Sequence, residues 1–353
     1  MKKHNDMRDW LRGIALLLIV VAFISVSRNS RLNDPERIVN GSGKVLFLEN
    51  NITLEQLVAK LDSLHVDVNV DQFLWTGKML GWRRFPPGRY EIPRVSDADT
   101  FLSKVARGLQ DPGEVTILPG ITPERFAASV AADLRTDSAS VRQQFEDDSV
   151  LSRETGLTGM QLFTRMLPNT YKVYWTSSPE SVVRRVLSEF DEQVVNGLKL
   201  QLAASELSLE EVTTLASIVE WEARKREEKR TISGLYLNRL EKRMRLQADP
   251  TVIYALGEKR RLLFRDYQVD HPYNTYLIYG LPPSGITNPD LESIRAVLEP
   301  EDHDYLYMVA TPDGSHAFSR TFREHQEKSR VWREFISEQE RIKRIREREE
   351  RKE

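Results

Sequence analysis

The sequence predicts an α+β chain in three parts: an N-terminal transmembrane helix, a small α+β module and a larger mixed α/β domain. Three observations carry that prediction. At 353 residues the chain exceeds one typical domain and implies two or three folded units. Its basic N-terminus leads into an uncharged apolar run, Gly13 to Ser27. Downstream, short runs of β character alternate with segments of helical periodicity, punctuated by Pro, Gly and Asn.

Composition narrows the functions available. Hydrophobic residues make up 40% and charged residues 29%, the balance of a globular body with an ordinary core. A formal net charge of −2 carries no concentrated basic excess, which argues against nucleic acid as a partner. The chain has no cysteine, so disulfides, thiolate catalysis and Cys-based zinc sites are excluded.

The elements follow in order. Residues 1–9 read as a cytoplasmic N-terminus and 10–27 as the anchor. The uncharged run is short for a bilayer, but Trp10, Leu11 and a snorkelling Arg12 extend it to about 17 residues, the lower bound for a span. A cleavable signal peptide is the rival reading, since its apolar core is of this length. Phe23 to Ser30 offers no clear small-x-small cleavage site. Lys2, Lys3, Arg8 and Arg12 hold the N-terminal side in the cytoplasm, which puts everything after Arg28 beyond the membrane. Residues 28–42 are polar, contain Pro35 and Gly41, and read as a linker.

Residues 43–113 form the small module. Val45–Leu48 reads as a strand, Thr53–Leu61 and Val70–Leu80 as helices, Pro86–Ile92 as a turn and returning strand, and Ser96–Val105 as a capped helix. It holds no cluster suited to chemistry, so it is either a folded spacer or a glycan-binding or positioning module. The larger domain spans 114–325. Val115–Thr122 is a strand running into a turn, and Thr122-Pro123 opens a helix. A mostly helical stretch then reaches about Leu202, broken at Pro168–Tyr171 and Trp175–Pro179, with an amphipathic helix over Ser178–Leu200. Tyr171, Tyr174 and Trp175 serve either as core and rim residues or as sugar platforms. His271–Pro289 is too rich in Pro, Gly and Asn for a long helix and reads as an ordered ligand-binding loop. Leu291–Leu298 is a short helix, Tyr305–Ala310 a buried strand, and Asp313-Gly314 a turn into His316–Phe318. From Thr321 onward Glu alternates with Arg and Lys, and 326–353 is a charged C-terminal helix.

The chemistry concentrates in Thr214–Gly257. Ser208-Leu-Glu-Glu211 is a capping-box signal for a helix running through Arg224 or beyond. Its apolar stripe is centred near Val219, and Glu222, one turn beyond Ile218 and two beyond Leu215, lies on an apolar edge of that stripe. Glu220 projects farther toward the polar side. A carboxyl group in an apolar setting is held protonated, which is what a general acid needs. The competing reading is a salt bridge from either Glu to Arg224, Lys225 or Arg226. Asn238, Arg239, Gln247 and Asp249, with Tyr273, Asn274 and Thr275, supply hydrogen-bonding groups suited to a polyhydroxylated or N-acetylated ligand. No Gly-rich phosphate loop, HExxH or GxSxG is present, and His271, His303 and His316 are too scattered to assert a metal site.

These residues resemble the endolytic murein transglycosylases (MltG-type, YceG-like family). The resemblance is carried by Leu215–Glu222, Leu237–Leu240, Met244–Gly257, Pro272–Pro283 and the Tyr305–Phe318 strand pair, and more weakly by Leu167–Tyr171 and Gly88–Tyr90. It implies a single-pass anchor in the inner (cytoplasmic) membrane, a LysM-like module over 43–113, and a YceG-like catalytic domain over 114–325 in the periplasm or cell-wall space. It also implies peptidoglycan glycan strands as substrate, peptidoglycan synthases as candidate partners, no cofactor and no metal. Its catalytic acid maps onto Glu222, with Glu220, Asn238, Arg239, Gln247, Asp249, Tyr273, Asn274, Thr275 and Tyr276 as substrate-binding candidates. Three positions depart from the family pattern: Ala223 stands where Thr is usual, Trp221 where Lys is usual, and Pro282-Pro-Ser-Gly-Ile286 where Pro-Pro-Gly-Pro-Ile is usual. The implied reaction is lytic cleavage of the MurNAc-β-1,4-GlcNAc bond to 1,6-anhydro ends, with Glu222 as acid and then base. A two-carboxylate hydrolase using Glu222 with Glu220 or Asp249, and a noncatalytic glycan-binding scaffold, remain as alternatives.

Overall fold

The computed structural model describes residues 2–32 and 43–350. The chain divides into two compact units, Met1–Glu114 with Lys172–Ser177, and Val115–Tyr171 with Ser178–Glu353.

The first unit begins with α1 (Lys2–Leu32), in which Trp10–Leu32 is long and apolar enough to cross a membrane and is exposed as far as Arg31. The helix runs past the expected end at residue 27 because no Pro or Gly interrupts it before Pro35. Of the expected linker 28–42, residues 28–32 are therefore helical, and 33–42 lie outside the described residues. Next come β1 (Val45–Leu48), β2 (Ile52–Thr53), α2 (Leu54–Ser63), α3 (Val70–Leu80), β3 (Arg84–Phe85), β4 (Gly88–Glu91) and α4 (Ala98–Ala106). β1 pairs antiparallel with β4, Leu46 opposite Tyr90, and β2 with β3. Thr53 closes a capping box with Gln56 at the start of α2, and Asp97 caps α4. Their inward faces meet in one core of Leu46, Leu57, Leu61, Phe73, Phe85, Tyr90 and Phe101. Trp175 returns to this unit and packs edge-on against Phe47 at 5.2 Å, while Tyr174 is exposed.

The rest of the chain comprises β5 (Gly113–Ile117), α5 (Pro123–Asp133), α6 (Ser138–Arg142), α7 (Val150–Thr155), α8 (Gly159–Thr164), β6 (Asn169–Val173), α9 (Pro179–Phe190) and α10 (Lys199–Ala204). These are followed by α11 (Leu209–Glu222), α12 (Lys229–Glu241), α13 (Asp249–Leu256), α14 (Leu291–Leu298), β7 (Tyr307–Ala310), β8 (His316–Ser319) and α15 (Phe322–Glu350). Two expectations change here. The expected break at 168–171 is the strand β6, paired with β5, because Tyr171 and Val173 alternate inward with period two. Tyr171 is a core residue whose hydroxyl donates to Leu167 O at 2.7 Å. The single helix expected over 178–200 instead ends at Phe190 and passes through a wide π turn, Asp191–Asn196, which carries Val194 and Leu198 into the core beside Phe190.

α11 is the hub of the second unit. Val212, Leu215, Ala216, Ile218 and Val219 are buried in one core with Ile232, Leu235 and Tyr236 of α12 and Ile294 and Val297 of α14. β7 and β8 form an antiparallel hairpin, Ala310 opposite His316, and α15 packs against both strands. β7 is only partly buried, unlike the buried strand expected. The 271–289 segment has no regular structure of its own, and buried side chains replace it. Asn288, 0% exposed, takes the Ile121 N–H on Oδ1 at 3.0 Å and donates through Nδ2 to Leu118 O at 3.0 Å and Met166 O at 2.9 Å. Truncating Asn288→Ala strands these three backbone groups in the interior, at about 1–3 kcal/mol each. Thermal unfolding of the detergent-solubilised chain is expected to show a fall of roughly 6 °C or more, taking about 2–4 °C per kcal/mol for a unit of this size.

Candidate active site

α11 starts where Ser208 and Glu211 close a capping box and stops at Glu222, where Ala223 turns extended with φ −75° and ψ 108°. The last residues of the helix are therefore fixed, and three consecutive side chains leave it in different directions. Glu220 is buried, with 10% side-chain exposure. Its Oε2 accepts from Lys229 Nζ at 3.0 Å, Ser293 Oγ at 2.7 Å and the Asp290 N–H at 3.1 Å. Trp221 donates from Nε1 to Gly120 O at 2.9 Å, and Lys259 Nζ sits 5.5 Å from its ring centroid. Gly120 is at φ +66°, and a Cβ there would lie 3.2 Å from the Trp221 indole, so both backbone and packing demand glycine. Glu222 alone of the three enters a cavity of about 290 Å³.

That cavity is walled by Leu235, Tyr236 and Arg239 of α12, Leu246, Gln247 and Asp249 at the start of α13, Tyr276, the β7–β8 hairpin and Trp332 of α15. Among the described residues no hydrogen bond or ion pair engages the Glu222 carboxyl group. Desolvation by the surrounding protein, reinforced by the negative charge of Asp249, pushes its pKa up to about 8, against the smaller opposing pull of Arg224 and Arg239. Its place at the C-terminal end of a helix acts in the same sense. Larger cavities of about 500 and 450 Å³ lie around Arg226 and Lys229. Of their carboxylates, Glu292 is paired with Arg226, and both Glu220 and Asp290 with Lys229.

The structure gathers Glu222, Arg239, Gln247, Asp249 and Tyr276 on one cavity. Arg239 is 7% exposed and is spread over backbone carbonyls, Nε to Leu306 O at 2.6 Å and a terminal nitrogen to Leu246 O at 2.7 Å. Gln247 adopts φ +49°, and its N–H donates to Thr275 O at 3.1 Å. Tyr276 donates to Asp249 Oδ1 at 2.6 Å. The other candidates stand behind these groups. Thr275 Oγ1 accepts the Ala248 N–H at 3.0 Å, and Asn274 Nδ2 donates to Tyr267 O and Val269 O. Tyr273 is bonded to Ser284 and stacked on Tyr254. Asn238 donates to His303 O at 2.6 Å. Glu220, expected on the polar side of the helix, is turned into the Lys229 network and does not reach the cavity, because α12 and α14 supply partners that the helical phase alone cannot reveal.

Besides its aliphatic lining, the cavity has three aromatic-ring side chains that the sequence does not single out as site candidates: Tyr236, His316 and Trp332. Tyr236 is 1% exposed with a hydroxyl that meets no hydrogen-bond partner, and burial followed by the nearby Glu222 raises its pKa well above the usual range. Tyr236 precedes Leu237-Asn238-Arg239 on the buried face of α12, which is the one signal that could have found it. Among the described residues no group of His, Cys, Asp and Glu is arranged to hold a metal ion.

The raised pKa of Glu222 has a consequence for stability. Between its ordinary value of 4.5 and about 8 the folded chain holds a proton that the unfolded chain releases. Stability from this group is therefore complete below pH 4.5 and is lost as pH rises to about 8. Glu222→Gln, which mimics the neutral acid, is expected to melt near the wild-type temperature at pH 5 and about 5 °C or more above it at pH 9 by calorimetry. Equal wild-type and variant curves at pH 9 would contradict a desolvated carboxyl group.

Comparison with known proteins places this geometry. The YceG-like family model matches residues 46–331. The endolytic murein transglycosylase of Bacillus subtilis (strain 168) is 28% identical over 269 residues, covering 72% of this chain and 74% of that protein. The endolytic murein transglycosylase of Streptococcus pneumoniae serotype 2 (strain D39) is 28% identical over 196 residues, covering 54% of this chain and 35% of the longer relative. A solved YceG-like protein from Listeria monocytogenes superposes with a TM-score of 0.55 at 29% identity, over 81% of this chain and 99% of its own. The matched segment includes every residue of the Glu222 cavity except Trp332, one position past its end, and the chain belongs to the YceG-like family.

Proposed function

We propose that the chain is an endolytic lytic transglycosylase of peptidoglycan, and that Glu222 carries the reaction. The observation that supports this best is an acid without a protein partner, its pKa raised to about 8, in a cavity lined by aromatic and hydrogen-bonding side chains. The relatives' names supply the substrate class. In this reading the Glu222 carboxyl group gives its proton to the glycosidic oxygen as the bond from muramyl C1 breaks, freeing the GlcNAc 4-hydroxyl. The carboxylate then takes the proton of the muramyl 6-hydroxyl as O6 bonds to C1. The acid is restored and no water is consumed. Arg239, Gln247, Asp249 and Tyr276 contact the sugars, while Asn238, Tyr273, Asn274 and Thr275 hold those contacts in place.

The reading extends to the rest of the chain. Residues 10–32 anchor it in the cytoplasmic membrane, the 43–113 module is LysM-like and helps hold the glycan, and 114–325 is the catalytic domain in the periplasm or cell-wall space. A site that cuts strands near the membrane also suits partnership with peptidoglycan synthases.

A second reading has one observation in its favour: Asp249 shares the cavity, so a two-carboxylate hydrolase could use it with Glu222. Glu220, bound to Lys229, Ser293 and Asp290, offers no such support.

Products and pH separate the readings. Glu222→Gln is expected to lower strand cleavage by about 10²-fold or more. Mass analysis of wild-type digests is expected to show anhydro-muramyl termini, whereas reducing ends would favour the hydrolase and binding without cleavage a noncatalytic scaffold. Because the acid must be protonated, wild-type activity is expected to decline as pH rises through about 8. Asp249→Asn removes a charge that raises the Glu222 pKa, so it should retain activity with that decline moved to lower pH. Complete loss at every pH would instead make Asp249 a second catalytic carboxylate.

A further inference from the structure

The β7–β8 hairpin brings another chemically competent group to the Glu222 cavity. His316 at the start of β8 lines it, 10% exposed at the side chain. Glu228, 13% exposed, holds this histidine at two points. One carboxylate oxygen accepts the His316 backbone N–H at 2.7 Å, and the other meets Nδ1 at 2.9 Å. A carboxylate can only accept, so Nδ1 carries the hydrogen, and in the neutral tautomer that this selects Nε2 is a bare acceptor. Among the described residues no hydrogen-bond partner meets Nε2, and it is absent from the buried polar atoms sealed from solvent. A second tie fixes the hairpin, Lys225 Nζ to Asp313 Oδ2 at 2.7 Å. Both ties run to the short segment that follows Glu222, so histidine and acid share one frame.

We propose that His316 is a further substrate-contacting residue, whose Nε2 accepts a hydrogen bond from a sugar hydroxyl of the glycan bound at Glu222, and that Glu228 is the positioning residue that sets its ring and tautomer. This rests on the glycan-cleaving reading of the cavity. His316 takes no proton in this role, and Glu222 remains acid and base. A histidine serving only to pin the hairpin would need Nδ1 alone. The other nitrogen, neither bonded nor sealed from solvent, is left for a ligand at the cavity that His316 lines.

The test uses the full-length chain in detergent and glycan strands stripped of stem peptides. His316→Asn keeps a donor where Nδ1 stood and removes the acceptor, whereas His316→Gln keeps an acceptor near Nε2. His316→Asn is expected to melt close to wild type yet lose about tenfold in kcat/KM, with His316→Gln recovering part of the loss. In a Glu222→Gln background, His316→Asn is expected to weaken strand binding by about tenfold. Glu228→Gln can donate to Nδ1 and so moves the ring hydrogen to Nε2. It is expected to lower kcat/KM about tenfold without a matching loss of melting temperature, and it serves if His316→Asn fails to fold. Strand affinity and kcat/KM within about twofold of wild type for the folded variants would overturn the proposal. A wild type that makes no anhydro termini would sink the cleavage reading, and the binding comparison would still decide the role of His316.

Discussion

The second unit depends on one constraint: a partly buried carboxyl group, desolvated by the protein around it, is left with no partner of its own. Such a group is costly, and a protein ordinarily removes the cost with a cation or a ring of donors. Glu220 shows this ordinary solution two residues earlier on the same helix, with an ammonium, a hydroxyl and a backbone N–H on one oxygen. Glu222 is denied it, so it becomes neutral instead and keeps a transferable proton near neutral pH. Much of the surrounding structure maintains that denial. Arg239, the buried cation on the same cavity, is occupied by carbonyls of 245, 246 and 306, which limits what it gives to Glu222.

Holding an unpartnered acid requires that the helix end bearing it cannot shift. α11 is fixed at Ser217, whose Oγ accepts the Ile286 N–H at 2.9 Å, at Glu220 through Lys229 to Asp290, and at Trp221 through Gly120. Gly285 permits the first contact, since a Cβ there would stand 2.1 Å from Thr164 Cγ2. The loop of 271–289 is thus structural as well as functional. Buried Asn274, Thr275, Thr287 and Asn288 do for its backbone what a sheet would otherwise do, and they bring Tyr276 to Asp249 without regular structure.

What was legible in the sequence follows the range of the interactions involved. The start of α11, its cap and the phase of Glu222 are local, set by the Ser208 signal and a 3.6-residue period, whereas the helix stops at Glu222, short of the expected Arg224, where Ala223 turns extended. α3 and α14 were also bounded by local signals, Asn69 with Gly81 and Asp290 with a short apolar period. Glu220 was misread because its partners come from α12 and α14, and a helical wheel knows nothing of what packs beside it. β6 was missed because a short strand flanked by Pro168 and a turn resembles a break until its partner is known. Tyr236 has only its place before Leu237-Asn238-Arg239 to mark it, and His316 shows no local mark. They matter through a cavity assembled from residues 222 to 332, and only tertiary structure brings those together.

The same contrast explains how chemistry and scaffold are divided along the central motifs. In Leu237-Asn238-Arg239-Leu240, Asn238 is spent on the 303–305 backbone while Arg239, bonded to Leu306 O, also lines the cavity, so adjacent polar residues serve different ends. In Gln247-Ala248-Asp249-Pro250, Gln247 adopts a left-handed backbone that few residues tolerate, at φ +49°. That turn sends Gln247 and Asp249 to the cavity and buries Ala248 between them, where Thr275 takes its N–H. A run of polar residues in these motifs is therefore no count of ligand contacts. Each alternate residue builds the wall that lets its neighbour face the cavity, and the acid at the end of α11 keeps its raised pKa because the residues around it have been committed elsewhere.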